Sequence, residues 1–179
     1  MKSFTPDSSV VSDVIPSPNF GERAKGRAPD MILLHYTGMP DVEGALTRLC
    51  KAGTEVSAHY VVLEDGRILQ CVPESKRAWH AGVSEWAGRT RCNDFSIGVE
   101  LEGTDELAYT APQYRELARL TSEILDRYPI ADIVGHSHIA PGRKTDPGPV
   151  FDWAGYRLLL QNRRRHGDLP AFPGIPASK

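Results

Sequence analysis

Cysteine is scarce in this 179-residue chain. Cys50, Cys71 and Cys92 are odd in number and contain no C-x-x-C pair, which argues against a disulfide framework and against a cysteine-built zinc site. Net charge is nearly absent as well. The balance of 21 Lys and Arg against 23 Asp and Glu leaves −2, with a pI near 6.3, so no global basic field points to nucleic acid. The one basic cluster, Arg163-Arg164-Arg165 with Arg157 before it, reads as a solvated helix C-terminus. No apolar run approaches eighteen residues, so no membrane span is expected. Residues 1 to 20 lack a continuous apolar core of the secretory type, and the expected location is a reducing cytoplasm. Internal repeats are missing too.

What remains is an ordinary globular composition, 40% hydrophobic and 25% charged, long enough for one sizeable core. Residues 1–29 are polar, carry Pro16, Pro18 and Gly21, and read as an extended N-terminal arm. Asp30 to His35 is a buried strand. Asp41 to about Lys51 predicts a helix capped by Asp41, with Val42, Ala45, Leu46 and Leu49 on one face. Ser57–Leu63 and Arg67–Val72 flank Asp65-Gly66 as a β-hairpin. Residues 73–95 show little periodicity and read as a long functional loop. Phe95–Leu101 is a central strand, Ala111–Tyr128 the main helix capped by Thr110, and Ile130–Gly135 a further strand. Asp152 to about Arg165 is a last helix, and residues 166–179 are an irregular tail. This alternation predicts a single α/β domain over 30–165, with a mixed central β-sheet flanked by α-helices.

Chemistry concentrates in Gly135–Pro149, G-H-S-H-I-A-P-G-R-K-T-D-P-G-P. It packs two histidines, a lysine and an aspartate into a stretch broken by Pro141, Gly142, Pro147 and Gly148. Imidazole nitrogens and carboxylate oxygens are preferred ligands of first-row metals, zinc above all. Far upstream, the apolar run Met31-Ile32-Leu33-Leu34 ends in His35. One histidine at a strand end, with one histidine and Asp146 on the downstream stretch, gives three protein ligands. Three ligands with an open fourth position is the catalytic pattern of zinc and implies a hydrolase. His136 and His138 compete for the second position. Lys144 can reach the same cleft to stabilise an oxyanion. Glu100 emerges from the apolar strand beside Val99 and Leu101, which is costly unless it has a task, and a metal hydrolase needs a base. Glu102 shares its face and reads as rim. His59 reads equally as a ligand-orienting residue or a buried, hydrogen-bonded one.

Several blocks occur in order: Leu34-His35-Tyr36-Thr37, Ser57-Ala58-His59-Tyr60, Arg77-Ala78-Trp79-His80-Ala81-Gly82, Arg91 through Gly103, and Gly135-His136 with Lys144-Thr145-Asp146-Pro147-Gly148. Over about residues 30 to 160 they resemble the zinc-dependent N-acetylmuramoyl-L-alanine amidases, which share the peptidoglycan-recognition-protein-like fold. The subgroup resembled is the AmpD type, cytoplasmic amidases that recycle 1,6-anhydro-muropeptides. The resemblance implies Zn2+ held by His35, His136 and Asp146, with Glu100 as catalytic acid-base and Lys144 at the transition state. It implies Arg91 on a peptide carboxylate of the substrate, Trp79 and His80 lining the cleft, and a muropeptide or peptidoglycan fragment as partner. Tyr36 after His35 departs from the enterobacterial AmpD enzymes, which have Asn there. The His-Tyr-Thr form resembles the broader family, whose members include enzymes acting on intact wall.

Overall fold

The computed structural model describes residues 3–164 and 167–174. Within them the chain runs through β1 (Asp13–Val14), β2 (Phe20–Glu22), β3 (Met31–Tyr36), α1 (Val42–Cys50), β4 (Tyr60–Val62), β5 (Ile68–Gln70), β6 (Lys76–Ala78), β7 (Glu85–Trp86), β8 (Arg89–Thr90), β9 (Ser96–Leu101), α2 (Ala111–Arg127), β10 (Asp132–Gly135), α3 (His136–Ile139) and α4 (Trp153–Arg164). Six strands form one mixed sheet in the order β1-β5-β4-β9-β3-β10, with only the β4–β5 pair antiparallel.

Side-chain alternation splits this sheet into two faces. Ile32, Leu34, Tyr60, Val62, Ile97, Val99 and Leu101 point to the face covered by α2 and α4, where they meet Leu117, Leu120, Ile124, Tyr156 and Leu160. Met31, Leu33 and Val134 point to the other face with Phe95, Cys92 and Ile139. His35 and Glu100 share the parity of Met31 and Ser96, and the β3–β9 register sets them directly opposite each other. β3 lies between two parallel neighbours and is buried on both sides, which is why it reads as a continuous apolar run rather than an alternating one.

Helix ends follow local chemistry. The Asp41 carboxylate accepts the Gly44 N–H at 2.7 Å and starts α1. Thr110 and Gln113 form a reciprocal capping box on α2, at 3.2 and 2.9 Å. The hairpin turn closes through the Gly66 N–H donating to Leu63 O, with Gly66 at φ 90°, a conformation that glycine adopts without strain.

Two regions differ from the sequence reading, and a third, the tail, is more closely packed than an irregular segment need be. The 73–95 stretch is not a plain loop. It holds β6, which pairs with β2, and the β7–β8 ribbon, followed by a 3-10 turn at Cys92–Asp94. Elements of two or three residues are too short to show a period. Gly135–Pro149 opens with one helical turn, α3, before it becomes irregular. Among residues 167–174 of the tail, Phe172 is buried against Tyr156, and Ala171 bonds with Ala131 and Ile133 beside β10. Arg165, where the last helix was expected to end, and the tail at 166 and 175–179 lie outside the described residues.

The N-terminal segment is built into the sheet. Asp13–Val14 pairs in parallel with Leu69–Gln70. The Asn19 amide donates to Lys51 O, Thr54 Oγ1 and Val56 O at 2.8 to 3.1 Å, tying the segment to the turn after α1. Glu74 is fully buried and accepts two hydrogen bonds from Arg127, at 2.6 and 2.9 Å, and one from the Tyr60 hydroxyl at 2.7 Å. This cluster fastens the chain after β5 to α2.

Candidate metal centre and cleft

The site sits where ligands of parallel sheets generally bind, beyond the carboxyl ends of the strands. β3 delivers His35 at its end, β9 delivers Glu100, and β10 ends in Gly135, so that His136 follows at the same level. A Cβ on Gly135 would overlap the Pro147 ring and lie 3.2 Å from Asp146 O, so only glycine lets the Asp146 segment pack against the end of β10.

His35 Nδ1 lies 2.9 Å from Asp146 Oδ2, His136 Nδ1 lies 3.0 Å from the same oxygen, and the two Nδ1 atoms are 3.0 Å apart. All three residues are buried. His136 Nε2 is 2.9 Å from the carbonyl oxygen of Ala81, which can only accept, so that nitrogen carries a hydrogen while Nδ1 faces Asp146 Oδ2. Two imidazole nitrogens and a carboxylate oxygen therefore converge on one point. A cation satisfies them. Donors 2.0–2.1 Å from a tetrahedral centre lie ~3.3 Å apart, close to the separations here. Two imidazole nitrogens and one carboxylate oxygen suit a first-row metal.

The electrostatics agree. Burial lowers His35 to a pKa of about 4, against its hydrogen bond to the Asp146 carboxylate, which raises it. Burial alone would raise Asp146, but its bonds with His136 and His35 prevail and hold its carboxyl below the usual range. Glu100 is pushed well above an ordinary carboxylate, first by burial and then by the Asp146 charge, with Lys144 opposing.

His35, His136, Asp146, Glu100, Lys144, Trp79 and His80 all line one cleft of about 630 Å3. His80 lies under His35 at the floor of that cleft, buried, with its Nδ1 3.0 Å from His35 Nε2. Arg91 is elsewhere. It lines a separate shallow groove with Val83 and Ile139, is paired with Asp94 at 3.2 Å, and its side chain is 73% exposed. The geometry separates the competing histidines. His138 Nδ1 accepts the Gly135 N–H at 2.9 Å and its ring packs edge-on to Trp153, away from Asp146. His59 is buried, accepts the Gly98 N–H on Nδ1 and donates from Nε2 to Lys76 O, one ring removed from His35. Glu102 accepts the Glu64 N–H at the rim.

Sequence reasoning missed three contributors. Asn93 Oδ1 accepts the N–H groups of His80 and Ala81, fixing the backbone beside the metal centre. Tyr36, Thr145 and Asp105 bond to one another at 2.8 to 3.0 Å, tying the end of β3 to the segment of Lys144 and Asp146. Arg143 bonds the 81–83 turn. Asn93, Tyr36 and Thr145 stand inside the motif blocks, whereas Asp105 and Arg143 lie just outside them and carried no signal.

A buried two-histidine, one-carboxylate cluster that could hold a metal ion, beside a buried glutamate in an open cleft, fits a hydrolase of the metal-dependent class. The family model described as N-acetylmuramoyl-L-alanine amidase matches residues 25–149, and the chain belongs to that family. It is 46% identical over 165 residues to the 1,6-anhydro-N-acetylmuramyl-L-alanine amidase AmpD of Escherichia coli K12, covering 82% of this chain and 90% of that one. A crystal structure of a selenomethionine AmpD derivative superposes with a TM-score of 0.78 at 41% identity, over 89% of this chain and 99% of that one. The amidase AmiD from E. coli, solved with the substrate anhydro-N-acetylmuramic acid-L-Ala-D-gamma-Glu-L-Lys, superposes with a TM-score of 0.68 at 34% identity, over 79% of this chain and 65% of that one.

Proposed function

We propose that this enzyme is a zinc-dependent N-acetylmuramoyl-L-alanine amidase of peptidoglycan recycling. It cleaves the amide between the lactyl group of 1,6-anhydro-N-acetylmuramic acid and L-alanine of the stem peptide, in the cytoplasm. The observation that carries this reading is the convergence of His35, His136 and Asp146 within 3.0 Å of one another, in the same cleft as the buried Glu100. The names of the AmpD relatives and the substrate in the AmiD complex support the anhydro-muropeptide as substrate class. No helix among the described residues is long and apolar enough to cross a membrane.

His35, His136 and Asp146 would hold the zinc ion. Bound there, zinc supplies Lewis acidity, polarising the scissile carbonyl and lowering the pKa of water towards ~7. Glu100 takes the proton of the attacking water and returns it to the leaving nitrogen. Its raised affinity for a proton, caused first by burial, suits that shuttle. Lys144, exposed at the mouth, brings its ammonium to the developing oxyanion. Trp79 offers an aromatic face on the cleft wall, and Arg91 in the neighbouring groove offers a guanidinium to a stem-peptide carboxylate.

The test offers soluble anhydro-muropeptide and intact peptidoglycan side by side, with and without chelator, and identifies products by mass. Chelator-sensitive release of stem peptide from the soluble substrate is expected. Better release from intact wall would move the role to wall lysis. No release from either, with zinc bound, would mean a recognition module.

A further inference from the structure

Arg143 has no assigned task, yet it touches both halves of the centre. Its Nη2 donates to the carbonyl oxygens of Ala81, at 3.1 Å, and Val83. The Ala81 oxygen is the same atom that accepts from His136 Nε2 at 2.9 Å. A carbonyl oxygen has two lone pairs, and here one faces a permanent cation and the other a metal-ligand ring. The 81–83 turn pivots on Gly82 at φ 59°, a left-handed conformation that glycine adopts without strain. From the other side, the Arg143 N–H donates to Ala140 O at 3.1 Å as α3 ends, and Lys144 and Asp146 follow at once.

We propose that Arg143 is a positioning residue that locks His136 through the Ala81 carbonyl and staples the 81–83 turn to the segment bearing Lys144 and Asp146. With the carbonyl oxygen held in place, His136 keeps its hydrogen on Nε2 and presents a bare Nδ1 to the metal position. Partners that orient a metal-binding histidine through its second nitrogen typically account for 10- to 100-fold in metal affinity. Arg143 is exposed, so its removal leaves the core intact. The inference rests on the zinc reading for its metal measurement only.

The sign of the effect separates this role from simple electrostatics. Removing a positive charge near a cation site tightens cation binding, whereas removing a positioning group weakens it. The experiment measures zinc affinity by chelator competition, and the ring state of His136 by 15N NMR of the metal-free protein, in the wild type, Arg143→Ala, Arg143→Lys and Arg48→Ala. Arg48 is an exposed arginine on the same cleft. Expected are roughly 10- to 100-fold weaker zinc binding in Arg143→Ala, partial recovery in Arg143→Lys, no weakening in Arg48→Ala, and loss of the pure Nε2–H form in Arg143→Ala alone. Unchanged or tighter zinc binding with an unchanged ring in Arg143→Ala overturns the proposal. The ring measurement needs no metal, so a wild type that binds no zinc would refute the metal reading while leaving this one to be decided by NMR.

Discussion

Gly98→Ala places one methyl group in the middle of β9 and should disturb the metal centre from behind. An ideal Cβ there lies 2.5 to 2.6 Å from Cγ, Cδ2 and Nδ1 of His80. Carbon contacts settle near ~3.5–4.0 Å, so the ring must move by about 1 Å. Its backbone cannot follow freely, because the His80 N–H is held by Asn93 Oδ1 at 3.0 Å. A ring displaced that far leaves hydrogen-bond reach of His35 Nε2, now 3.0 Å away, or presses His35 toward His136. Overpacking typically costs about 1–3 kcal/mol, and the lower backbone entropy of alanine returns ~0.5–1 kcal/mol. The net expectation is a loss of ~0–2.5 kcal/mol with about 10- to 100-fold weaker zinc binding. Urea unfolding of the metal-free protein and chelator competition measure the two. The decisive control is the double-mutant cycle with His80→Ala, since without the ring the added methyl has room and Gly98→Ala should cost nearly nothing. Equal penalties in both backgrounds would show that the contact with His80 is not the cause and would refute the reasoning.

Glu100→Ala should retain zinc and lose turnover by roughly 100- to 10,000-fold, and near-normal turnover would remove Glu100 from the proton path. Asp146→Ala should lose zinc and activity together, and full zinc occupancy by metal analysis would move the ligand assignment elsewhere. His59 is lowered from 6.5 to about 3, by burial first and the Arg23 charge next, so the unfolded chain takes up its proton near pH 6.5 and the folded protein only near 3. Its contribution to stability is complete above pH 6.5 and is lost as pH falls from there toward 3. His59→Gln should therefore flatten the acid slope of unfolding free energy between pH 6 and 5 by up to ~1.4 kcal/mol per unit, and an unchanged slope would contradict the burial argument. Glu74→Ala leaves Arg127 without its buried acceptor and should cost ~3–5 kcal/mol while sparing turnover at low temperature; a shift within error in thermal denaturation would show that the cluster contributes little.

His35 and Glu100 were visible in the sequence because each interrupts or ends an apolar strand. Their mutual position was not, since the register between β3 and β9 joins residues 65 apart and leaves no local pattern. Spacing left His136 and His138 open; a single turn of helix brings His136 to Asp146 and carries the Nδ1 of His138 back to the Gly135 N–H. Arg91 shows the opposite case. Its place in a motif block said nothing of its direction, and a left-handed backbone at φ 62° leads into the turn where it pairs with Asp94. Asn93 and Arg143 act through backbone atoms of the 80–83 segment, and a contact made to main chain imposes no recognisable partner on the sequence.

The two flanks of the sheet carry one further consequence. At one side Asp13–Val14 lies along β5, and at the other Ala171 bonds beside β10, so segments from opposite ends of the chain occupy the two positions where bare strand edges would otherwise stand. Unpaired strand edges recruit other strands and seed aggregation. Both segments are short, two residues and one bridge, too small to serve as templates themselves. Asp13–Val14 and the Ala171 segment thus act as bumpers that keep one copy of the sheet from adding to another, and cutting either away would trade size for stickiness.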